Sequence, residues 1–227
     1  QGSHAAGGYS PSMVEITLGE QAPCGEGIAG ALTAFSVEAA EALQVAQRMI
    51  ERAARITVLT GAGISTDSGI PDYRGPAGLW TLDPCAEEES NLQAFLKKRE
   101  TRLATWRKLP LLLSSQGPNQ GHKALRALRR AGKLRLLVTQ NIDGLHQEAD
   151  PLLEGGDFGN LLEVHGCLAR VQCLYCFTRH STNRLLEEQE VGTAAQEPRC
   201  PRCCGMMKPD TVLFGEALPE GAAERCQ

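Results

Sequence analysis

Nine cysteines stand in the 227-residue chain, and four of them form two spaced pairs, Cys173-Leu-Tyr-Cys176 and Cys200-Pro-Arg-Cys203. Each pair can act as a thiolate knuckle, and two knuckles close a tetrahedral four-sulfur zinc site. Such a site has no open coordination position, so its metal would be structural and not a Lewis acid. Cys204, next in sequence, is a rival ligand. Cys24, Cys85, Cys167 and Cys226 read as ordinary core or surface thiols. A second constellation is Gly61-Ala62-Gly63 followed by Ser65, Thr66 and Ser68, directly after the β-branched run Ile56-Thr57-Val58. Glycines at a strand end let backbone amides approach a pyrophosphate closely, or supply positive φ for a tight turn. Thr66 stands where the dinucleotide fingerprint has its third glycine, with Gly69 three residues late. An ordinary strand-to-helix turn is therefore the competing reading.

Three further stretches carry usable chemistry. Ile70-Pro71-Asp72-Tyr73-Arg74-Gly75 sets a charged pair and an aromatic between turn formers, so Arg74 could meet a phosphate or carboxylate as a planar fork. The alternative is a surface contact between Asp72 and Arg74. Gln140-Asn141-Ile142-Asp143-Gly144-Leu145-His146 follows an apolar strand and places amide and carboxylate groups where open α/β sheets bind ligands. An Asx turn capping a helix fits the same residues. Glu163-Val164-His165-Gly166 precedes the first cysteine pair, and histidine is the natural general base near neutral pH. His122, His146 and His180 are competing candidates.

The elements that must position these groups are legible in outline. A helix from Ser36, with Ser36 as N-cap, is expected from Leu43, Ala46, Ile50 and Ala53. It leads into a strand at Ile56–Thr60. Leu82 to Leu113 reads as a charged helical lobe, and Asn119 to Ala131 as a helix that stops before Gly132. Leu134–Thr139 reads as a second buried strand. Glu163 to about Gly205 holds the cysteines, and Asp210–Phe214 is expected to return as a strand to the main sheet. Alternation of strands and helices predicts an α/β fold with a Rossmann-like parallel sheet. The expected organisation is a tail over 1–34, a nucleotide-binding domain over 35–166 and 205–227, and a zinc-binding insert over 167–204, with the helical lobe at 82–113.

Composition narrows the function classes. Hydrophobic residues make up 42% and glycines number 24, which suits an ordered α/β protein. A net charge of −4 argues against general nucleic-acid binding, and the Lys/Arg-rich runs at 97–107 and 123–135 read as solvated helix faces. No apolar run reaches the length of a membrane span. Paired thiols at metal-ligand spacing point to a reducing compartment, so cytoplasm is the expected location, or the nucleus in a eukaryote.

Taken together, GAGIS, GIPDYR, QNID-GLH, the histidine at 165, the two cysteine pairs and Lys208-Pro209-Asp210-Thr211-Val212-Leu213-Phe214-Gly215-Glu216 resemble the sirtuin family of NAD-dependent protein deacylases, over roughly Val58 to Glu220. The resemblance implies NAD and zinc as cofactors and acyl-lysine proteins as substrates. It places Gly61, Ala62, Gly63, Ser65, Asp72, Tyr73, Arg74, Gln140, Asn141 and Asp143 around NAD. Asp143 would meet the nicotinamide carboxamide, with Asn141 and Gln140 at its ribose. Cys173, Cys176, Cys200 and Cys203 would hold the zinc. Val212, Phe214, Gly215 and Glu216 would form the loop to which the substrate adds as an extended strand. In such an enzyme the acyl oxygen attacks the ribose carbon and nicotinamide leaves. His165 then serves as general base, with Asn141 assisting, and the products are lysine and O-acyl-ADP-ribose.

Two departures modify that picture. Relatives that prefer acidic acyl groups carry Tyr and Arg at places held here by Trp106 and Leu109, which predicts a preference for acetyl or another neutral acyl group. The family also continues with two further strands, one bearing Gly-Ser/Thr-Ser and one ending in Asn, which hold the adenosine half of NAD. The sequence stops at Gln227 without them, so the parallel sheet is expected to be incomplete on that side, with weak NAD binding and low stability. The rival readings are a non-catalytic zinc-ribbon interaction module and an NAD-dependent ADP-ribosyltransferase. A dehydrogenase fits worst, because no acidic residue is suitably placed after the glycine loop.

Overall fold

The structure is a computed structural model that describes residues 37–113, 117–153, 159–189 and 197–225. The expected tail, the Ser36 cap, Cys24 and Cys226 lie outside the described residues. The chain divides into two units, Gln1–Glu51 and Arg52–Gln227. Of the first unit, the described part belongs to helix α1, Val37–Arg52. All that follows concerns the second unit.

Its centre is a parallel sheet of β1 (Ile56–Thr60), β2 (Leu134–Thr139) and β3 (Leu161–Glu163), in the order β1-β2-β3. Thr60 pairs with Thr139, and Thr139 with Glu163, so the three strands end level with one another. β2 is buried along most of its length, whereas β1 packs the half-buried Val58 against the helices and leaves Leu59 exposed. Leu134, Leu137, Leu153 and Leu161 form one buried cluster with Val58, Leu125 and Leu128. Leu125 and Leu128 come from the helix Gln120–Arg130. That helix starts where the sequence says it should. The Asn119 side chain accepts the N–H groups of Gly121 and His122, and His122 closes a capping box. It stops at Gly132, which takes φ +70°.

The stretch read as helical from Leu82 to Leu113 is broken into separate helices. Leu79–Leu82 (α2), Pro84–Glu89 (α3), Leu92–Lys97 (α4) and Arg99–Leu113 (α5) replace one continuous run. The break before α4 has a local cause, since the Asn91 side chain caps Gln93 and Ala94. Gln120–Arg130 is then α6 and Leu145–Ala149 is α7.

A second, antiparallel sheet carries the cysteines. It comprises β4 (Gly166–Cys173), β5 (Arg179–Ser181) and β6 (Met207–Thr211), in the order β5-β4-β6. Here one expectation fails. The strand expected at Asp210–Phe214 in the main sheet is instead Met207–Thr211, and it pairs antiparallel with β4. The reason is packing. Met207 is fully buried in one cluster with Trp106, Leu109, Leu168, Val171, Cys173, Leu185 and Cys200, and this commits β6 to the cysteine sheet. Helices α8 (Thr182–Glu188) and α9 (Ala222–Arg225) complete the described elements. No helix among the described residues is long and apolar enough to cross a membrane.

The two sheets meet at Gly166, whose φ is +77° and whose absent Cβ would fall on the carbonyl of Asp210. A Gly166→Ala substitution is expected to cost about 2 kcal/mol or more, through left-handed backbone and steric overlap together. The thermal midpoint should fall by at least about 4 °C. Gly132→Ala is the comparison: φ is +70° there too, but nothing lies within 4 Å of the added carbon. Its midpoint should fall by less, and equal losses would contradict the steric argument.

Candidate active site

At the level ends of β1 and β2 the polar side chains form a continuous buried network. Thr60 Oγ1 donates to Thr139 Oγ1 at 2.9 Å and meets His146 Nε2 at 2.9 Å. Thr139 Oγ1 in turn accepts the Asn141 N–H at 3.1 Å. The Asn141 side chain donates to Ser65 Oγ at 3.0 Å, and Ser65 donates to Asp143 Oδ2 at 2.7 Å. Asp143 Oδ1 accepts the Leu145 N–H at 2.9 Å. The Asx-turn reading of Asp143 is thus met by its bond from Leu145, just ahead of the helix Leu145–Ala149, and the same carboxylate also anchors the Ser65 hydroxyl of the glycine loop.

The loop itself forms a 3₁₀ turn, Ala62–Ser68. Gly69 closes it at φ +80°, so positive φ is needed at Gly69 and not at Gly61, which is extended. A Cβ at Gly61 or Gly63 would meet nothing within 4 Å. Open space beside bare backbone at the end of a parallel strand suits close approach of a ligand. Asn119 pins the turn from outside by donating to the Ile64 carbonyl at 2.7 Å and to Ser68 Oγ at 3.0 Å.

A cleft of roughly 600 Å³ opens over this network. Ala62, Asp72, Tyr73, Arg74, Gln140, Asn141, His165, Val212, Phe214, Gly215 and Glu216 line it, so most of the sequence-derived site residues do converge. Ser65 and Asp143 face an adjoining chamber that shares Ala62, Tyr73 and Asn141 with the cleft. Gly61 and Gly63 line neither space. Asp72 does not pair with Arg74. Its Oδ1 accepts the Gly75 N–H at 2.9 Å, while Arg74 stacks its guanidinium 4.8 Å above the Trp80 ring. Trp80 escaped the sequence reading, yet its ring lies 4.7 Å from Tyr73 and 5.4 Å from Phe214, centroid to centroid. Trp106 and Leu109 are both core residues, and of the two only Leu109 reaches the chamber.

His165 occupies the joint between the sheets. Its Nδ1 lies 3.0 Å from the Gln140 carbonyl oxygen. A carbonyl can only accept, so Nδ1 carries a proton, and in the neutral ring Nε2 is then the acceptor nitrogen. The His165 carbonyl accepts the Val212 N–H at 2.9 Å, which ties the histidine to the loop after β6. That loop is clamped from below. Buried Lys208 donates to the carbonyls of Pro209 and Thr211 and to Glu216 at 3.1 Å, and Glu216 accepts the Leu213 N–H. Phe214 pairs both its N–H and its carbonyl with Ser90 and Leu92. A strand-like ligand would therefore meet a loop whose amides at Val212, Leu213 and Phe214 are already engaged. The rival histidines line neither the cleft nor the chamber. His180 sits 3.8 Å from Cys200 Sγ. His122 and His146 are buried with rings 4.9 Å apart.

The four cysteine sulfurs all lie within 4.8 Å of one another. Cys173 and Cys203 are 3.5 Å apart and Cys176 and Cys200 are 3.6 Å apart. A tetrahedron with zinc–sulfur bonds of about 2.3 Å has edges of about 3.8 Å, so the thiols fit zinc. Both knuckles end alike: Phe177 and Cys204 take φ +56° and +59°, and their N–H groups return to the Cys173 and Cys200 carbonyls. This turn sends Cys204 outward, and it does not join the cluster. Gly205 is required close by, since a Cβ there would press on Tyr175 and on the Cys173 and Cys203 sulfurs.

A family model described as the Sir2 family matches residues 61–227. The chain belongs to the Sir2 family. Among its relatives, the NAD-dependent protein deacetylase 1 of Pyrobaculum aerophilum is 38% identical over 77% of this chain and 63% of that protein. The NAD-dependent protein deacetylase of Caldivirga maquilingensis is 40% identical over 71% of this chain and 58% of its own length. The chain thus spans about three fifths of these two Sir2 relatives. Its fold matches a Sir2 structure with deacetylated p53 peptide and 3′-O-acetyl-ADP-ribose at a TM-score of 0.67, with 28% identity, over 81% of this chain and 70% of that one. A Sir2–p53 peptide–NAD+ structure matches at a TM-score of 0.62 and 30% identity, over 81% and 69%.

Two measurements test the site. Burial pushes the His146 imidazole down to about 4, helped by His122 and opposed by Asp143, and burial also lowers His122. The unfolded chain, with ordinary histidines near pH 6.5, therefore binds more protons below that pH, and stability is lost as pH falls from about 6.5 towards 4. Urea melts should show His146 contributing roughly 2 kcal/mol of loss between pH 7 and 5, a slope that His146→Gln reduces. An unchanged slope would contradict a neutral buried His146. Metal analysis should find one zinc per chain, lost in Cys176→Ser together with the fold of the β5-β4-β6 sheet. Retention of that zinc would place the ligands elsewhere.

Proposed function

We propose that the chain carries NAD-dependent deacylation of protein lysines, with preference for acetyl or another neutral acyl group. The observation that carries this reading is the Nδ1–Gln140 bond of His165, which makes Nε2 the acceptor nitrogen of the neutral ring, in a cleft shared with Asn141. The names of the Sir2 relatives and the ligands in the Sir2 structures support it.

NAD, when bound, supplies the electrophilic ribose carbon and nicotinamide as leaving group. The residues around it fit. The Ser65 hydroxyl, the Asn141 amide and the Asp143 carboxylate line the cleft or its adjoining chamber and present donors and acceptors of the kind a ribose and a carboxamide require. In this reading Asn141 and Gln140 orient the ribose, and Asp143, held by Ser65 and Leu145, meets the carboxamide. Tyr73 and Phe214, joined through Trp80, cover the cleft and exclude water. The substrate lysine enters between His165 and the Val212–Glu216 segment. His165 Nε2 takes a proton from a ribose hydroxyl, and its orientation is fixed because Gln140 holds the opposite nitrogen. The four cysteines hold zinc away from these groups, so the metal supports the sheet from which the substrate loop emerges.

His165→Ala should lower deacetylation of an acetyl-lysine peptide at least about 100-fold while leaving the melting temperature nearly unchanged. Activity within a few fold of the parent would overturn the assignment. Lys208→Met should instead raise the apparent KM for peptide, because it frees the loop but leaves His165 in place. A fall in kcat alone would contradict that role.

A further inference from the structure

The chamber behind the cleft has a volume of about 170 Å³ and apolar walls from Ile70, Leu79, Phe95, Leu109, Leu112 and Leu168. It continues the cleft, because the two spaces share Tyr73, Asn141, Thr211 and Leu213. An acyl group passing His165 would enter it. Lys108 from α5 is the one cation among the described residues that line the chamber, an unexpected group in an apolar space. Its Nζ lies 2.6 Å from Glu89 Oε2 on the same wall and 3.7 Å from Asp83 Oδ2. Asp143, the other acid of the lining, accepts from Ser65 and Leu145 and is the group assigned above to the carboxamide.

We infer that Glu89 is a specificity-determining residue, which occupies the Lys108 ammonium and so makes the chamber select neutral acyl groups. This rests on the deacylase reading above. An acyl chain ending in a carboxylate needs a charge-assisted partner on leaving water. Lys108, the one cation among the described residues of the lining, already has such a partner, and a second carboxylate would meet Glu89 as a like charge. Selection against acidic acyl groups then lies in Glu89, and not only in the absence of a basic residue at Trp106 and Leu109. Without Glu89 the same chamber would hold an available ammonium, and its preference would shift towards a succinyl-type group. The pair is half-exposed, with the Glu89 and Lys108 side chains at 32% and 41%, so the shift should be moderate.

The test is fluorescence-anisotropy titration of the full chain with peptides identical except for acetyl-lysine or succinyl-lysine, with and without NAD. Glu89→Gln should raise the succinyl-to-acetyl affinity ratio by about fivefold to tenfold, a gain that disappears in Glu89→Gln/Lys108→Met. Lys108→Met alone should lower the ratio below that of the parent. Thermal melts check that each variant is folded, and the Lys108→Met comparison stands even where Glu89→Gln is not. An unmoved ratio with intact acetyl-peptide binding overturns the inference alone. So does a gain that survives Lys108→Met. A parent chain that binds neither peptide overturns the deacylase reading, and the inference falls with it.

Discussion

The joint between the two sheets is two residues long, and the site depends on it. β3 ends at Glu163 and β4 begins at Gly166, which leaves only Val164 and His165 between a parallel and an antiparallel sheet. Val164 still donates to the Thr139 carbonyl of the parallel sheet, while the His165 carbonyl already accepts from Val212 beyond β6. His165 is thus fixed from both sides by backbone bonds before its side chain makes any contact. The Gln140 carbonyl then fixes the ring. Arg170 braces the same corner by bridging Glu163 at 2.8 Å and Asp210 at 3.2 Å. An imidazole held this way keeps one neutral tautomer through a backbone carbonyl and without a carboxylate partner.

The division of labour between the sheets follows from this joint. The parallel sheet brings three strand ends level and stacks on them a chain of hydroxyls and amides from Thr60 through Thr139 and Asn141 to Ser65 and Asp143. The antiparallel sheet and the loop after β6 supply the other wall of the cleft, and the thiol cluster gathers at the end of β4, at Cys173. Lys208 couples the two functions. It lies on β6, one residue from the buried Met207, and its ammonium organises the loop that faces His165. Burying a lysine is costly unless its donors are met, and here they are met by two carbonyls and a carboxylate.

Much of this was legible in the sequence because it is local. Cysteine spacing, the Asn119 cap, the stop at Gly132 and the apolar runs of β1 and β2 are each encoded within a few residues. The remainder depends on partners distant in sequence. The strand expected at Asp210–Phe214 lay earlier and in the other sheet, because the alternation of Met207, Pro209 and Thr211 shows a buried face but not which sheet it faces. The helical lobe broke at Asn91, where a capping residue sat in plain view within a charged run. Asp72 was read as a ligand or as a partner for Arg74, and it is chiefly the acceptor that shapes its own turn. Trp80 and the His122–His146 pair gave no periodic signal, since their neighbours come from three separate segments.

The central claim is that the joint presents His165 as an Nδ1–H imidazole whose Nε2 is free to act as base. Long-range ¹H–¹⁵N correlation of the histidine side chains, with His165 assigned by its Ala variant, reads the tautomer directly. Above the imidazole pKa the account predicts an Nδ1-protonated His165. An Nε2-protonated ring, or an even mixture of both tautomers, would contradict it.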